Sequence, residues 1–171
     1  EKVFSFSRPI IAACSGHAIG GGAVLMLACD ERLGDSSGRF HIHATGLGIP
    51  YPTAVLEIVS HALGTDTGKR TLLLGTPISG SCRQREGWLH DIVGVSDLVD
   101  HAIKRASDFG ALDSASFANT KSRLLAPAIE RITKNKDTDA RAFTERVASE
   151  NTQKRIAQAV QKLEIRRKHN P

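Results

Sequence analysis

Gly20, Gly21 and Gly22 stand between two apolar runs, Ile10-Ile11-Ala12-Ala13-Cys14 and Ala23-Val24-Leu25-Met26-Leu27-Ala28-Cys29. That order makes one device: a strand, a glycine turn and a helix start. The first amides of a helix lack partners within it and favour negative charge, and glycines let backbone approach a ligand with no side chain between. An oxyanion fits such a place. Three glycines alone are as consistent with close backbone packing, so the flanking strand and helix carry the argument.

Other residue sets offer less. Gly64-Thr65-Asp66-Thr67-Gly68-Lys69-Arg70 superficially follows a phosphate loop, but its spacing is one residue short and Arg70 takes the place of the magnesium-binding hydroxyl. His41 and His43 are the one close pair among seven histidines, and with no third ligand beside them no metal is expected. No spacing defends a Ser-His-Asp set around Ser15 or Ser79. Cys14, Cys29 and Cys82 are odd in number and unrelated in spacing, which argues against a disulfide framework or a zinc site and for a reducing compartment such as the cytoplasm, with Cys14 and Cys29 filling core.

The elements that must hold the glycine turn are legible as patterns. Residues 9–14 read as a buried strand, and 22–29, apolar on every side, as a helix enclosed by the core. Positions 38–43 alternate, so Phe40 and Ile42 share one face of a strand and His41 and His43 the other. A loop follows over 46–52. Pro52 opens a helix from Thr53 to Leu63, closed by Gly64, and a second runs from Asp66 to Leu74, closed by Gly75. A third is expected from Thr76 to about Glu86, then a short strand over Leu89–Val93. From Ser96 the pattern is helical, with a cap at Asp113-Ser114 and a break at Asn135-Lys136-Asp137. Residues 1–95 thus form an α/β region and 96–171 a helical one.

Composition bounds the class. With 171 residues, 40% hydrophobic and 24% charged, the chain can bury a core as one domain of ordinary size. No apolar run reaches the roughly 18 residues that span a bilayer. The net charge of +5 is gathered late, in Lys154-Arg155 and Arg166-Arg167-Lys168, where helical spacing spreads it over solvated faces. Without a stacking pattern of aromatics, nucleic-acid binding is not expected. Glu1 leads almost directly into a buried-type strand, so the chain reads as the later part of a longer protein.

Taken together, Pro9-Ile10-Ile11-Ala12-Ala13, Gly16-His17-Ala18-Ile19-Gly20-Gly21-Gly22-Ala23, Ala28-Cys29-Asp30, Phe40, Gly46-Leu47-Gly48-Ile49-Pro50 and Leu73-Leu74-Gly75-Thr76-Pro77-Ile78-Ser79 resemble, in order and spacing, the enoyl-CoA hydratase/isomerase (crotonase) superfamily. The resemblance is good from Arg8 to Arg131 and looser in the tail. It is closest to the Δ3,Δ2-enoyl-CoA isomerase-like branch, because Val24 stands where hydratases carry their first catalytic glutamate. It implies the C-terminal portion of an α/β spiral of ββα units, followed by helices that pack homo-trimers or hexamers. It also implies a site where an acyl-CoA or enoyl-CoA thioester carbonyl accepts two backbone N–H bonds, with coenzyme A entering only as part of the substrate and no other cofactor.

Gly21 matches the glycine that gives one of those bonds; the other donor and most of the nucleotide pocket belong to an upstream segment. Ile19, Gly20, Gly21, Val24, Ala44 and Leu47 match substrate-binding positions, and Lys162 a lysine that reaches the coenzyme A phosphates. Asp30 matches a residue that closes the buried helix. The departure is at Ala44, where the family places a glutamate that moves protons. With Val24 and Ala44 both apolar, the usual proton shuttle is absent. His43 and Glu57 are the nearest replacement bases, ahead of His41 and Tyr51. Three readings follow: an acyl-CoA-binding homologue with altered or lost activity, an active isomerase or hydratase with a relocated base, and a non-catalytic subunit of an oligomer.

Overall fold

The computed structural model describes residues 1–78, 84 and 86–169. Two small parallel sheets carry the α/β region. In the first, β1 (Ile11–Cys14) pairs with β3 (Glu31–Gly34), and β3 with β5 (Asp91–Ile92), in the order β1-β3-β5. In the second, β2 (Ala18–Ile19) pairs with β4 (Phe40–His41), Ala18 opposite Phe40 and Ile19 opposite His41. Helix α1 (Gly21–Leu27) connects the two, so the glycine turn lies where one sheet hands the chain to the other.

A single core fills the space between sheets and helices. Phe40 and Trp88, both fully buried, stack with ring centroids 5.8 Å apart, and Leu27, Ile42, Val59 and Leu89 close around them. Each such side chain contributes about 1.5–3 kcal/mol by leaving water. The expected face-sharing on the 38–43 segment holds: Phe40 and Ile42 are buried, while the His41 and His43 rings stack on each other at 5.2 Å.

Helix α2 (Thr53–Leu74) contains both helices expected from the sequence, joined at Gly64, whose φ of 74° and ψ of 170° break the helical path. It ends at Gly75, in the left-handed conformation that glycine adopts without strain. The tail comprises α3 (Leu98–Gly110), α4 (Ser114–Ala148) and α5 (Glu150–His169). Asp113 caps α4 by accepting the Ser116 amide at 2.8 Å.

Four expectations need correction. The strand expected to be buried over 9–14 is only half-buried as β1, with Ala13 exposed, because β1 is an edge of its sheet; the buried strand is the central β3, where Arg105 of α3 pairs with Glu31 at 2.5 Å and Arg32 donates to three backbone carbonyls. The break at Asn135-Lys136-Asp137 does not occur. Asn135 donates to the Arg131 carbonyl one turn back at 2.8 Å, and Asp139 accepts the Thr53 amide at 2.7 Å, so the polar cluster is satisfied within and beside a continuous helix. Thr76 to Ile78 do not start a helix either: Ile78 forms an antiparallel bridge to Phe40, while Ser79, Cys82 and most of that expected helix lie outside the described residues. Finally, α1 is not enclosed all round. Ala23, Met26 and Leu27 face the core, whereas Leu25 is 57% exposed.

Candidate functional site

The turn before α1 is built so that its two ends are occupied and its middle is free. Gly20 sits at φ 56°, ψ −121°, a conformation open to glycine and strained for other residues. Its amide donates to the His41 carbonyl of β4 at 2.7 Å, and its carbonyl accepts the Val24 amide at 3.1 Å. The next two amides, of Gly21 and Gly22, are exposed and meet no acceptor among the described residues. A Cβ on either glycine would meet nothing within 4 Å.

Two clefts open beside these amides. One, of about 430 Å³, is lined by Gly21, Val24, Leu25, Ala28 and Ile58 together with the first three residues of the chain. The other, of about 590 Å³, is lined by Gly22, Ile19, Leu25, Met26, His17, Cys14, Cys29 and the end of β1. Leu25 is the ridge between them. The walls are apolar apart from His17, Ser15, the two thiols and the chain's first two residues. Burial pushes both thiols up, aided at Cys14 by Asp35 and at Cys29 by Asp30, so neither is a ready base near neutral pH.

The residues singled out in the sequence fall into three places. Ile19, Gly20, Gly21 and Val24 come together at the turn and clefts. Ala44 and Leu47 lie at a 3₁₀ turn, Thr45–Leu47, which β4 leads into; the Ala44 amide donates to the Tyr51 hydroxyl at 2.7 Å and its carbonyl accepts from Leu47 and Ile49. Neither lines the two clefts. Lys162 is exposed on α5, away from both sets of lining residues.

The two replacement bases are engaged elsewhere. The His43 ring stacks on His41 and fills the space beside Gly46 and Gly75, where an added methyl group would land on it. Glu57, mostly buried, pairs with Arg131 of α4 at 2.9 Å. Asp30 accepts the Ile10 amide at 2.9 Å and Lys121 at 2.6 Å, the structural role expected of it. His17 is the residue that sequence reasoning passed over: it lines the larger cleft, and its Nδ1 accepts the Arg39 amide at 3.2 Å, leaving the hydrogen of the neutral ring on Nε2. Its place after Gly16, inside the glycine segment, was the available signal. Among the described residues no cluster of three or more potential metal ligands occurs, and no helix is long and apolar enough to cross a membrane.

Comparison with known proteins places this geometry. The model of the enoyl-CoA hydratase/isomerase family matches residues 1–169. The short-chain-enoyl-CoA hydratase of Clostridium acetobutylicum is 30% identical over 106 residues, covering 60% of this chain and 41% of that protein. The mouse mitochondrial enoyl-CoA delta isomerase 1 is 22% identical over 164 residues, covering 95% and 57%. Among solved structures, an enoyl-CoA isomerase of Mycobacterium tuberculosis superposes with a TM-score of 0.78 at 27% identity, covering 83% of this chain and 63% of that one. The chain thus spans less than two thirds of each of these three proteins.

Proposed function

The chain belongs to the enoyl-CoA hydratase/isomerase family, and from that premise we propose that it binds an acyl-CoA thioester through the Gly21 amide while lacking the usual means of proton transfer. The observation that carries this reading is the pair of unpartnered amides opening on apolar clefts beside Val24. A thioester carbonyl is an acceptor that such an amide can take, and its enolate would be held more strongly still. Nothing at Val24 or Ala44 can accept or return a hydrogen from carbon.

The engagement of His43 with His41 and of Glu57 with Arg131 weighs against a relocated base. Lys162, exposed on the last helix, is suited to a phosphate of coenzyme A. The exposed Phe143, Val160 and Leu163 of α4 and α5 offer apolar surface for assembly of copies into a trimer or hexamer. A reducing compartment such as the cytoplasm suits the free thiols of Cys14 and Cys29.

Isothermal titration with butyryl-CoA and with free coenzyme A tests the binding half. Tighter binding of the thioester is expected; equal affinities would remove the role given to Gly21. Steady-state hydration of crotonyl-CoA and isomerisation of a 3-enoyl-CoA test the other half. Turnover at the level of an ordinary family enzyme would overturn it.

A further inference from the structure

At the opposite end of α1 from Gly21, a cavity of about 280 Å³ holds more hydrogen-bond donors than acceptors. Arg32 is only 4% exposed, and among the described residues no carboxylate accepts from it: its guanidinium donates to the carbonyls of Cys29, Gly87 and Trp88 at 3.0–3.1 Å. Lys121, 8% exposed, donates to Asp30. Glu31, outside the cavity lining, is paired with Arg105. Two buried cations therefore share one carboxylate, and a buried charge without a counter-ion is costly.

The same surplus appears in the hydrogen bonding. His90 Nδ1 faces the Arg32 backbone amide at 3.1 Å, and its Nε2 faces Arg32 Nη2 at 2.8 Å. A neutral imidazole has one acceptor nitrogen, so one of these two donors goes unmet. Arg32 has five N–H groups, three on carbonyls and a fourth facing His90, and Lys121 has three with one on Asp30, which leaves further hydrogens for an acceptor in the cavity. The remaining wall combines apolar side chains, with Phe4 and Leu125 the largest buried ones beside Leu27, with His61 edge-on to Phe4 and the Asp30 carboxylate that Lys121 offsets.

We propose that this cavity binds a short-chain aliphatic carboxylate, its anionic head on Lys121 and Arg32 beside His90 and its alkyl part against Phe4 and Leu125. The site is independent of the thioester reading, although Ala28 and Cys29 wall it from the clefts at the other end of the helix. His90 already faces the Glu31 carboxylate at 3.9 Å, with Arg32 and Arg105 opposing it, and a bound anion would add a second negative charge beside the ring. Burial and Arg32 hold that ring below its usual pKa, so its titration midpoint rises when the carboxylate is present.

The test is an NMR titration of the whole chain with sodium butyrate, alongside sodium chloride and 1-butanol. Saturable shifts of the Phe4, Cys29 and His61 amides are expected with butyrate, together with an upward move of the His90 midpoint. Lys121→Gln should weaken binding about tenfold or more. Leu124 stands on the rim and is 63% exposed, so Leu124→Asp leaves the fold intact and should weaken binding about fivefold by repulsion. Absence of saturation up to about 50 mM butyrate would overturn the proposal. So would an equal response to chloride, which means an adventitious ion only, or unchanged affinity in Leu124→Asp.

Discussion

Replacing Gly21 by proline removes the one group on which the thioester reading turns while leaving the helix able to form. Gly21 is the first residue of α1, where proline is favoured and a missing N–H breaks no helical bond. Its φ is not positive, an added Cβ meets nothing within 4 Å, and Gly20 before it is already non-helical, as a residue preceding proline should be. The lost interaction with a neutral thioester oxygen is one ordinary hydrogen bond, about 0.5–1.5 kcal/mol, so butyryl-CoA should bind about two- to tenfold more weakly. For an enolate-like analogue the loss rises to about 2.7–4 kcal/mol, or two to three decades in affinity. Gly21→Ala keeps the amide and should bind both ligands as the natural chain does. Calorimetric titration of the three proteins with both ligands separates the outcomes. If alanine weakens binding as much as proline, space and not the donor matters at position 21, and the reasoning fails; it fails equally if proline changes nothing.

Further outcomes follow from the same coordinates. Ala44→Glu restores a carboxylate where the family resemblance places one and should raise hydratase or isomerase turnover by about 10²–10⁴, the usual worth of a general base, in a spectrophotometric enoyl-CoA assay. Glu57→Gln leaves any residual turnover unchanged; a fall of two decades would restore the relocated-base reading. Gly34→Ala inserts a methyl group 2.8 Å from Leu89 Cδ1 and 3.3 Å from the Cys14 carbonyl, and should cost about 1–3 kcal/mol in urea unfolding. His90 is held below its usual pKa by burial and then by Arg32, so its neutral form is the folded one. The stability it contributes is full above the unfolded value of about 6.5 and is lost as pH falls below that. Urea curves at decreasing pH should therefore show a loss that His90→Gln diminishes.

Much of the site's frame was legible because it rests on local rules. The glycine turn needs residues without Cβ, and Gly64, Gly75 and Asp113 end or cap helices by the conformations or hydrogen bonds they supply, so each is visible in the sequence. Alternation at Phe40 to His43 predicts two faces because one of them is buried. What escaped was decided by partners remote in sequence. Glu31 and Arg32 look like surface residues until Arg105 and the carbonyls of Gly87 and Trp88 are brought to them by folding. Asn135 reads as a breaker, yet it bonds one turn back and stays in the helix. Alternation put His43 beside His41, but no local pattern discloses that Glu57 is tied to Arg131, and both contacts bear directly on whether a base exists.

Binding and proton transfer are separable on this scaffold because they rest on different kinds of atoms. The donor at position 21 belongs to the main chain, and it is aimed by the bonds Gly20 makes with His41 and Val24, so side-chain changes nearby leave it in place. A base is a side chain and can be lost alone. Val24 packs partly into the core and Ala44 is held through its backbone to Tyr51, so an apolar residue at either position costs the fold nothing. A glutamate at position 24 would have to keep its charge beside Leu27 and Ile58, a desolvation that only a substrate proton would repay. On the thioester reading, apolar residues at both places therefore favour a stable binding site over a reactive one. The Ala44→Glu chain, if it gains turnover, should accordingly be the less stable of the two.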